Sequence, residues 1–537
     1  MTVPHATVVI IGAGPTGLTA AALLADYGVA SVIIERWDDV YPQPRAVHLD
    51  DEVYRVLARL GLAEEFAAIS RPAHGLRLVG GALDLIAEFP RNPGVGVHGY
   101  PAASMFDQPE LERLLRSAVA QRSGLVALRS GAEVHGITQS DTSVTVHATD
   151  RATGASFSVE GSYVLGCDGA GSTTRSVIDT CWRDLGFSQR WLVIDIETTA
   201  DLQQWDGIQQ VCDARRAATY MRIGDTRYRW EFQLLAGETA SDFPDLDAVL
   251  PLMSPWLDGL VDPDLRLVRC AEYTFTARVA QRWRERRIFL LGDAAHLTPP
   301  FIGQGMGAGI RDAMNLSWKL AAVLNGGVEQ ASLDSYEDER KPHAVGLIRM
   351  AKATGVLMTG GGRCGDRLRR HVAPILARVP AIATRLTTSA TPPLRRSYYV
   401  RGGASLTGTL APNVPVDEEG RRLDTSSPGF IIVTRHEPTA EQRFEITRRG
   451  AAIIVESEGG LSHWLADNGA IAALVRPDGT VMIAGRSLGE IYTHIPVMSA
   501  APGQRVGSGL VPSTRPVPVP SSVPRPGGIS RTRILGP

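Results

Sequence analysis

The amino-terminal part of the chain alternates short apolar runs with longer helical stretches, a pattern typical of a parallel α/β fold. The run Val8 to Ile11 is followed by an Ala/Leu-rich stretch, and a second apolar run ends at Glu35. Residues 45–69 and 108–121 carry apolar positions at three- and four-residue spacing, which predicts amphipathic helices. We therefore expect strand, helix, strand units in this part of the chain.

The hydrophobic pattern then changes several times and predicts a multidomain chain. Residues from about 182 to 273 are mostly strand-like, and a strand, turn, helix pattern returns at 285. A strand-rich insertion between two halves of one nucleotide-binding domain explains this order. The predicted segments are the first part of the nucleotide-binding domain (1–181), a β-rich substrate domain (182–284), the second part with a helical extension (285–399), a small C-terminal domain (400–495) and a Pro/Ser/Arg-rich tail (496–537), disordered or an extended arm.

The turn after the first apolar run has the glycine spacing of a dinucleotide-binding site. Gly12 permits a tight turn, Gly14 lets a pyrophosphate approach the backbone, and Gly17 lets the helix pack closely on the strand. Glu35, where the second strand ends, is placed to accept hydrogen bonds from a ribose. The predicted contacts of this unit are Gly12, Gly14, Pro15, Thr16, Gly17, Glu35 and Arg36.

Composition narrows the class of protein. A length of 537 residues favours two or three domains, and 55 Lys+Arg against 57 Asp+Glu, a net charge of −2, argues against a nucleic-acid partner. The five cysteines form no C-x-x-C pair, so no metal site is predicted and a reducing cytoplasm is expected. Residues 1–7 lack a basic leader pattern and no membrane span is evident, so we expect a cytoplasmic protein with a small-molecule partner.

Two later segments add glycine-rich turns. Residues 163–175 read YVLGCDGAGSTTR, and an ordinary turn at Asp168–Gly169 would explain them if taken alone. Residues 287–320 place Gly303, Gly305, Gly307 and Gly309 at the start of a long helix. So much glycine costs conformational entropy, and it makes sense where backbone N–H groups approach a large planar ligand and its anionic edge.

Together, GAGPTG, GCDGAGSTTR and GDAAHLTPPFIGQG resemble, over residues 1–345, the class A flavoprotein monooxygenases, single-component FAD-dependent aromatic hydroxylases. The resemblance implies a Rossmann-like FAD-binding domain with an inserted β-rich substrate domain. It also implies that Asp293 contacts the sugar portion of FAD and that the loop from Pro299 to Gly305 lies against the isoalloxazine ring. The implied FAD contacts beyond the first turn are Arg45, Gln108, Asp168, Gly169, Asp293, Pro299, Gly303, Gly305, Met306 and Gly307. Many relatives have Asn at the position of Gly307, so ring position or reactivity could differ in this chain.

Within the family, PQPRAVHLDDEVYRVLARLGL and WLADNGAIAALVRPDG are most similar to the 3-(3-hydroxyphenyl)propionate hydroxylase branch. That branch implies a C-terminal thioredoxin-like domain without redox cysteines. This chain has no cysteine after Cys364, so residues 400–495 would be structural or oligomer-forming, and a homodimer is compatible with that role.

The resemblance implies that NADH or NADPH reduces FAD, that O₂ adds at flavin C4a, and that the hydroperoxide transfers oxygen to a phenol such as a 3-hydroxyphenylpropionate-like compound, in aromatic compound catabolism. The other G-x-G-x-x-G spacing, at Gly360, Gly362 and Gly365, follows no strand pattern, which favours transient nicotinamide binding. Two alternatives stay open: a tailoring hydroxylase of a polyketide or antibiotic, and a non-catalytic flavin-binding protein.

Few side chains are candidates for the chemistry at the substrate. His48 is the predicted phenol base because imidazole titrates near neutral pH, although a histidine that caps or packs at a helix start would look the same. The predicted substrate pocket consists of Tyr220, Arg222, Trp230 and Pro300, but aromatic residues of an ordinary sheet core would give the same alternation. For His296, next to the glycine-rich loop, we predict a structural hydrogen bond.

Overall fold

The computed structural model describes residues 7–41, 46–91, 93–260, 264–360, 362–379, 391–402, 404–496 and 533–535. The chain divides into two compact units. The first contains the described residues up to 321 and from 334 to 400, and the second contains residues 322–333 and the described residues from 401 onward.

Strands and helices are numbered in chain order. The strands are β1 (Val8–Ile11), β2 (Ser31–Ile34), β3 (His48–Asp50), β4 (Ser70–Pro72), β5 (Gly75–Val79), β6 (Leu85–Pro90), β7 (Ala103–Phe106), β8 (Val126–Arg129), β9 (Ala132–Gln139), β10 (Val144–Asp150), β11 (Ser156–Gly161), β12 (Tyr163–Gly166), β13 (Trp182–Glu197), β14 (Ile208–Val211), β15 (Ala218–Arg222), β16 (Arg227–Gln233), β17 (Arg266–Ala280), β18 (Arg284–Glu285), β19 (Ile288–Leu290), β20 (His296–Leu297), β21 (Ile431–Thr434), β22 (Ala452–Val455), β23 (Ala472–Val475), β24 (Val481–Gly485) and β25 (Arg533–Leu535). The α-helices are α1 (Pro15–Asp26), α2 (Asp51–Arg59), α3 (Ala63–Ile69), α4 (Gln108–Gln121), α5 (Thr173–Val177), α6 (Leu246–Leu257), α7 (Gly305–Leu324), α8 (Ser335–Thr359), α9 (Gly362–Ala377), α10 (Leu423–Ser426), α11 (Ala440–Arg448), α12 (Gly460–Asp467) and α13 (Leu488–Ile491).

The nucleotide-binding sheet brings distant turns together. Its strand order is β18-β19-β12-β1-β2-β8, and β1 pairs in parallel with both β2 and β12. Every residue of β1, β2 and β12 is buried, as expected for parallel strands covered on both faces. The carboxyl ends of β1, β12 and β19 lie at one edge, so the three glycine-rich turns predicted from the sequence meet there. The predicted α/β fold is confirmed.

The middle sheet is larger than the predicted insertion at 182–284. Its order is β20-β17-β13-β16-β15-β14-β5-β6, so it includes two strands from 75–90 and one from beyond 284. The α6 helix packs on one face, with Val249, Met253 and Trp256 buried against it. The opposite face is available to the functional site.

A small sheet of order β3-β7-β4 positions the segment before α2. In it, His48 lies opposite Met105 in the antiparallel register. A second three-stranded sheet contains β9, β10 and β11.

The second unit contains one sheet of order β24-β23-β21-β22-β25. The β21 and β22 strands are parallel and joined through α11, whereas β23 and β24 are antiparallel additions. This βαβ unit followed by a hairpin and α13 agrees with the implied thioredoxin-like domain. All five cysteines lie at or before Cys364, so this domain has no thiol for redox chemistry. Of the predicted tail, Arg533–Leu535 forms β25, and the rest lies outside the described residues.

Candidate active site

A cavity of about 730 Å³ lies in the first unit and is lined by the glycine-rich turns and by one face of the middle sheet. The predicted residues that line it are Gly12, Gly14, Pro15, Thr16, Glu35, Arg36, His48, Gln108, Asp168, Gly169, Asp293, Pro300, Gly303, Gly305 and Met306. Three predicted FAD contacts, Gly17, Pro299 and Gly307, do not line it. Arg45 lies outside the described residues.

The glycines of the first turn have two different roles, backbone packing and access to the cavity. A Cβ atom on Gly12, whose φ is +102°, would lie 2.5 Å from the Cys167 carbonyl oxygen, and one on Gly17 would lie 2.0 Å from the Gly12 carbonyl oxygen. Both glycines therefore serve close backbone packing. A Cβ on Gly14 would meet no protein atom within 4 Å, because this position faces the cavity. The start of α1 thus leaves room for a diphosphate at its unpaired N–H groups.

Glu35 supports this turn through its own backbone contacts. Its Oε2 accepts a hydrogen bond from the Ala13 N–H at 2.6 Å, and its Oε1 accepts one from the Trp37 N–H at 2.9 Å. A carboxylate offers about four acceptor positions, so Glu35 retains capacity for a ribose hydroxyl on the cavity side.

Asp168 holds the second turn in shape. Its Oδ1 accepts from Ser172 Oγ at 2.6 Å, and its Oδ2 accepts from the N–H and the hydroxyl of Thr174 at 2.9 and 3.0 Å. Arg175 donates to the carbonyl oxygen of Ala294 at 3.1 Å and thereby connects this turn to the one after β19.

The turn after β19 packs tightly on the start of α1. A Cβ on Gly309 would lie 2.3 Å from Thr16 Oγ1, and one on Gly292, whose φ is +60°, would lie 2.9 Å from the same atom. These glycines therefore bring α7 close to the dinucleotide turn, and Asp293 between them is exposed and lines the cavity.

Gln108 is placed to shape the approach to β3. Its Oε1 accepts from the Ala46 N–H at 2.6 Å, and its Nε2 donates to Glu112 Oε1 at 2.6 Å. It lines the cavity while fixing the chain two residues before His48.

His48 is buried at the cavity, with 6% of its surface exposed. Its ring lies against Gly303, where a Cβ would come within 2.6 Å of Nδ1. Neither ring nitrogen makes a hydrogen bond within the described part of the chain. Burial, with a smaller effect of the Arg91 cation, lowers the pKa of His48 to about 4, and the Asp50 anion and the nearby Gly303 backbone oppose this shift. The imidazole is therefore neutral near pH 7.

A buried network that the sequence analysis did not identify links the segment after His48 to α7. Asp50 caps α2 through the Val53 N–H, and its Oδ2 accepts from Gln304 Nε2 at 2.7 Å and from Arg311 Nη2 at 2.5 Å. Arg311 also donates to Glu52 at 2.9 Å. Although burial opposes ionisation, Arg311 holds the pKa of Asp50 below its usual value. In the sequence, the three consecutive acidic residues 50–52 at the start of α2 are the feature that could have indicated this network.

A side chain at the position of Gly307 would point away from the cavity. A Cβ there would lie 3.0 Å from Arg311 Nη1 and 3.1 Å from Val53 Cγ2. The departure from the family pattern at this position therefore concerns packing between α2 and α7.

The structure corrects the predicted substrate wall. Tyr220 and Trp230 are 1% and 0% exposed and pack in the core beneath α6, while Arg222 donates to two backbone carbonyls of the next turn. The alternation was assigned to the wrong face, because the aromatic face packs on α6 and the other face lines the cavity. From β15 and β16, the residues that line the cavity are Thr219, Met221, Arg229 and Glu231.

The same face carries a group of buried charges, here called the polar wall: Asp195, Arg229, Glu231 and Arg269. Asp195 accepts from Arg229 Nε at 2.7 Å and Nη2 at 3.1 Å, and its Oδ2 lies 3.0 Å from Arg269 Nε. Burial raises the pKa of Glu231, and Arg229 opposes this shift. Arg229, Glu231 and Arg269 line the cavity.

His296 has the structural role expected for it. Its Nε2 lies 2.8 Å from Asp312 Oδ2 in a fully buried pair, and Asp312 also accepts from the Gly292 N–H at 3.0 Å.

Comparison with known proteins agrees with this site. The sequence matches the FAD binding domain family over residues 5–351. It is 32% identical to a probable NADH-specific resorcinol 4-hydroxylase of Rhodococcus jostii (strain RHA1), over 90% of this chain and 93% of that protein. It is also 31% identical to a 3-(3-hydroxy-phenyl)propionate/3-hydroxycinnamic acid hydroxylase of Burkholderia cenocepacia (strain HI2424), over 80% of this chain and 79% of that protein.

The fold is similar to that of a solved flavin-dependent monooxygenase, PieE, whose crystal structure is a complex with FAD and substrate. The TM-score is 0.78 at 22% identity, covering 92% of this chain and 98% of that chain. Among the helices of the described residues, none has the length and apolar character needed to cross a bilayer.

Proposed function

The chain belongs to the FAD binding domain family, as a class A flavoprotein aromatic hydroxylase, and on this basis we propose that it hydroxylates a phenol carrying a second substituent on the ring. The observation that carries this proposal is the cavity that joins the Gly14 turn, His48 and the polar wall. Resorcinol and 3-(3-hydroxyphenyl)propionate, for which two relatives are named, both fit that description.

FAD would be held by the residues that border the three turns. The diphosphate would lie at Gly14 and the start of α1, a ribose hydroxyl would bond Glu35, and Asp293 would bond the sugar portion. The flavin ring would lie against the backbone from Pro300 to Met306, where the start of α7 presents unpaired N–H groups. The open space at Gly14 and the close packing at Gly12 and Gly17 fit this arrangement.

When bound and reduced by NADH or NADPH, FAD supplies the oxygen-transfer chemistry, and the protein supplies orientation and exclusion of water. We propose that His48 is the residue that binds the phenol hydroxyl. Complete proton transfer from a phenol with a pKa near 10 to an imidazole with a pKa of about 4 would cost about 8 kcal/mol. Neutral His48 would therefore first accept a hydrogen bond, and it would take the proton only as the hydroxyl becomes acidic during attack by the ring.

We propose NADH as the reductant, because a relative with matching length is named as NADH-specific. Within the described residues, the sole βαβ unit with the glycine fingerprint is the one at Gly12. Transient binding of the nicotinamide at the same cavity follows from this arrangement.

The size of the cavity favours a small aromatic substrate over a polyketide. Pockets of about 300–1,000 Å³ hold one ligand of drug size. The cavity of about 730 Å³ must hold the flavin as well, which supports a small substrate over a bulky one.

We also propose a cytoplasmic homodimer without a nucleic-acid partner. Five free thiols and a net charge of −2 support the location and the choice of partner. The exposed apolar side chains Leu368 (63%) and Ile375 (61%) on α9 would be covered in a dimer. Light scattering of the wild type and of the double variant Leu368→Ser, Ile375→Ser would test the oligomeric state, and a monomeric wild type would contradict it.

The central experiment measures oxidation of NADH and of NADPH by the FAD-loaded protein across a panel of phenols, with hydroxylated product quantified against peroxide. We expect faster oxidation with substituted phenols and product that accounts for most of the reductant. Absence of product with every phenol would contradict the proposed function.

A further inference from the structure

Glu231 lies at the cavity without a hydrogen-bond donor from the described residues. It is 7% exposed and lines the cavity from β16. The Arg229 Nη1 atom is 4.0 Å from Glu231 Oε1, beyond the range of a hydrogen bond. Because the carboxyl has no donor among the described residues, a ligand in the cavity that supplies one can hydrogen-bond to it.

The neighbours of Glu231 on the sheet have other partners. Glu231 lies opposite Thr219 on β15 and Val193 on β13. The Thr219 hydroxyl donates to Gln210 Oε1 at 2.9 Å, and Gln210 Nε2 donates to the Ala218 carbonyl oxygen at 2.8 Å. This row therefore leaves the Glu231 carboxyl as the group that a ligand would engage.

The two arginines of the polar wall share one carboxylate, and Glu231 supplies the second negative charge. Arg229 and Arg269 both contact Asp195, and Arg269 Nη1 also donates to the Tyr273 hydroxyl at 2.9 Å. With Glu231 ionised, the formal charge of the polar wall is zero. The wall has no excess positive charge for an anionic substrate.

Burial raises the pKa of Glu231, and Arg229 opposes the shift. A hydroxyl group suits either form of this carboxyl, since it donates to a carboxylate and accepts from a carboxylic acid. A substrate carboxylate can only accept, so it finds no donor in an ionised Glu231 and is repelled by it.

Resting on the proposed phenol hydroxylation, we infer that Glu231 is a specificity-determining residue that hydrogen-bonds a second ring hydroxyl, so that the substrate is a neutral diphenol. An aromatic ring bearing a carboxylate side chain would be the poorer substrate. The hydroxyl to be ionised belongs at His48, and the second hydroxyl belongs at the polar wall.

The test compares three meta-substituted phenols on the FAD-loaded enzyme: resorcinol, 3-methylphenol and 3-(3-hydroxyphenyl)propionate. The first two are close in size, so their ratio isolates the second hydroxyl. Binding is measured by calorimetry without NADH, and turnover as kcat/KM. Wild type should favour resorcinol over 3-methylphenol by about 10- to 100-fold in both measurements, the range expected for a hydrogen bond to a charged group.

The variants are Glu231→Leu, which removes the hydrogen bond, and Glu231→Gln, whose amide can both donate and accept. Glu231→Leu should bring the ratio of resorcinol to 3-methylphenol close to one in both binding and kcat/KM, whatever the absolute turnover, and Glu231→Gln should retain most of the preference. Glu88→Leu on β6, outside the cavity lining, is the matched control and should leave the ratio unchanged. Flavin content and thermal unfolding verify folding of each variant.

Several results would overturn the inference. One is equal binding of resorcinol and 3-methylphenol by wild type, and another is an unchanged ratio in Glu231→Leu. Preference for the propionate would also overturn it while leaving phenol hydroxylation intact. Absence of turnover with any phenol, by contrast, would remove the proposed function and the inference with it.

Discussion

Gly14 and Gly17 belong to the same turn, yet we predict opposite responses to alanine. At Gly14 the φ angle is −74°, which any residue adopts, and the new methyl group would meet no protein atom within 4 Å. Loss of a preferred helix-capping residue lowers the stability of the folded protein, whereas alanine reduces the freedom of the unfolded chain and thereby raises it. The free energy of unfolding of the apoprotein should therefore change by about 1 kcal/mol or less.

The methyl group of Gly14→Ala would instead project into the cavity, where the diphosphate is proposed to approach the backbone. We expect FAD to bind at least about tenfold more weakly, or about 1.4 kcal/mol. In Gly17→Ala, by contrast, the new Cβ would lie 2.0 Å from the Gly12 carbonyl oxygen, a backbone atom that cannot rotate away. The start of α1 would have to shift, at a cost to folding of roughly 3 kcal/mol or more.

The assay is denaturant unfolding of the apoprotein together with a titration of FAD followed by flavin fluorescence. Gly124→Ala is the matched control, since its Cβ also meets nothing within 4 Å and Gly124 does not line the cavity. It should alter neither measurement. Unchanged FAD affinity in Gly14→Ala would refute the placement of the diphosphate, and normal apoprotein stability in Gly17→Ala would refute the packing argument.

Three further predictions concern burial and charge. His48→Gln should lower hydroxylation, and the acid limb that His48 gives to kcat/KM should lie near pH 4 instead of 6.5. Because the unfolded state binds this proton more tightly, wild type should lose about 3 kcal/mol of unfolding free energy relative to His48→Gln as the pH falls from 6.5 to 4; parallel pH curves would contradict this. Asp195→Asn leaves two buried arginines without their carboxylate and should destabilise the protein by about 3–5 kcal/mol in denaturant unfolding, so a change under 1 kcal/mol would count against it. Gly307→Asn should keep the flavin spectrum and lower stability by about 1–3 kcal/mol, since the side chain would press on Arg311 and Val53; a shifted spectrum would contradict this.

The turns at the sheet edge were predictable because the local backbone conformation of each turn requires glycine. At Gly12 the positive φ is a property of the turn itself, and Asp168 accepts a hydrogen bond from the Thr174 N–H in the first turn of the helix that follows it. Features of this kind are visible in a few consecutive residues of the sequence. The topology of the parallel sheet then brings the turns together. The position of each motif followed from the sequence, whereas the partners of Glu35 and Asp168 in the protein backbone required the structure.

The environment of His48 could not be read in this way. Burial and the Arg91 cation lower its pKa, and the ring lies against Gly303, which is distant in sequence. A histidine two residues before a helix is compatible with a cap, a core position or a base. Only the tertiary fold leaves both ring nitrogens at the cavity without partners among the described residues.

The face of the middle sheet shows why alternation alone misplaced the substrate wall. In the strand RYRWEFQ, aromatic and charged residues alternate, and the usual interpretation is that the aromatic face is core and the charged face is solvent. Here the aromatic face is core, but Arg229 on the other face is only 1% exposed. The register explains the difference, because Asp195 on β13 lies opposite both Arg229 and Arg269. On one row of three neighbouring strands Asp195 lies between two arginines, so these three charges are buried together with a formal charge of +1. Glu231, on the next row of the same face, brings the total to zero, but it lies 4.0 Å from Arg229 Nη1 and is left to hydrogen-bond a ligand.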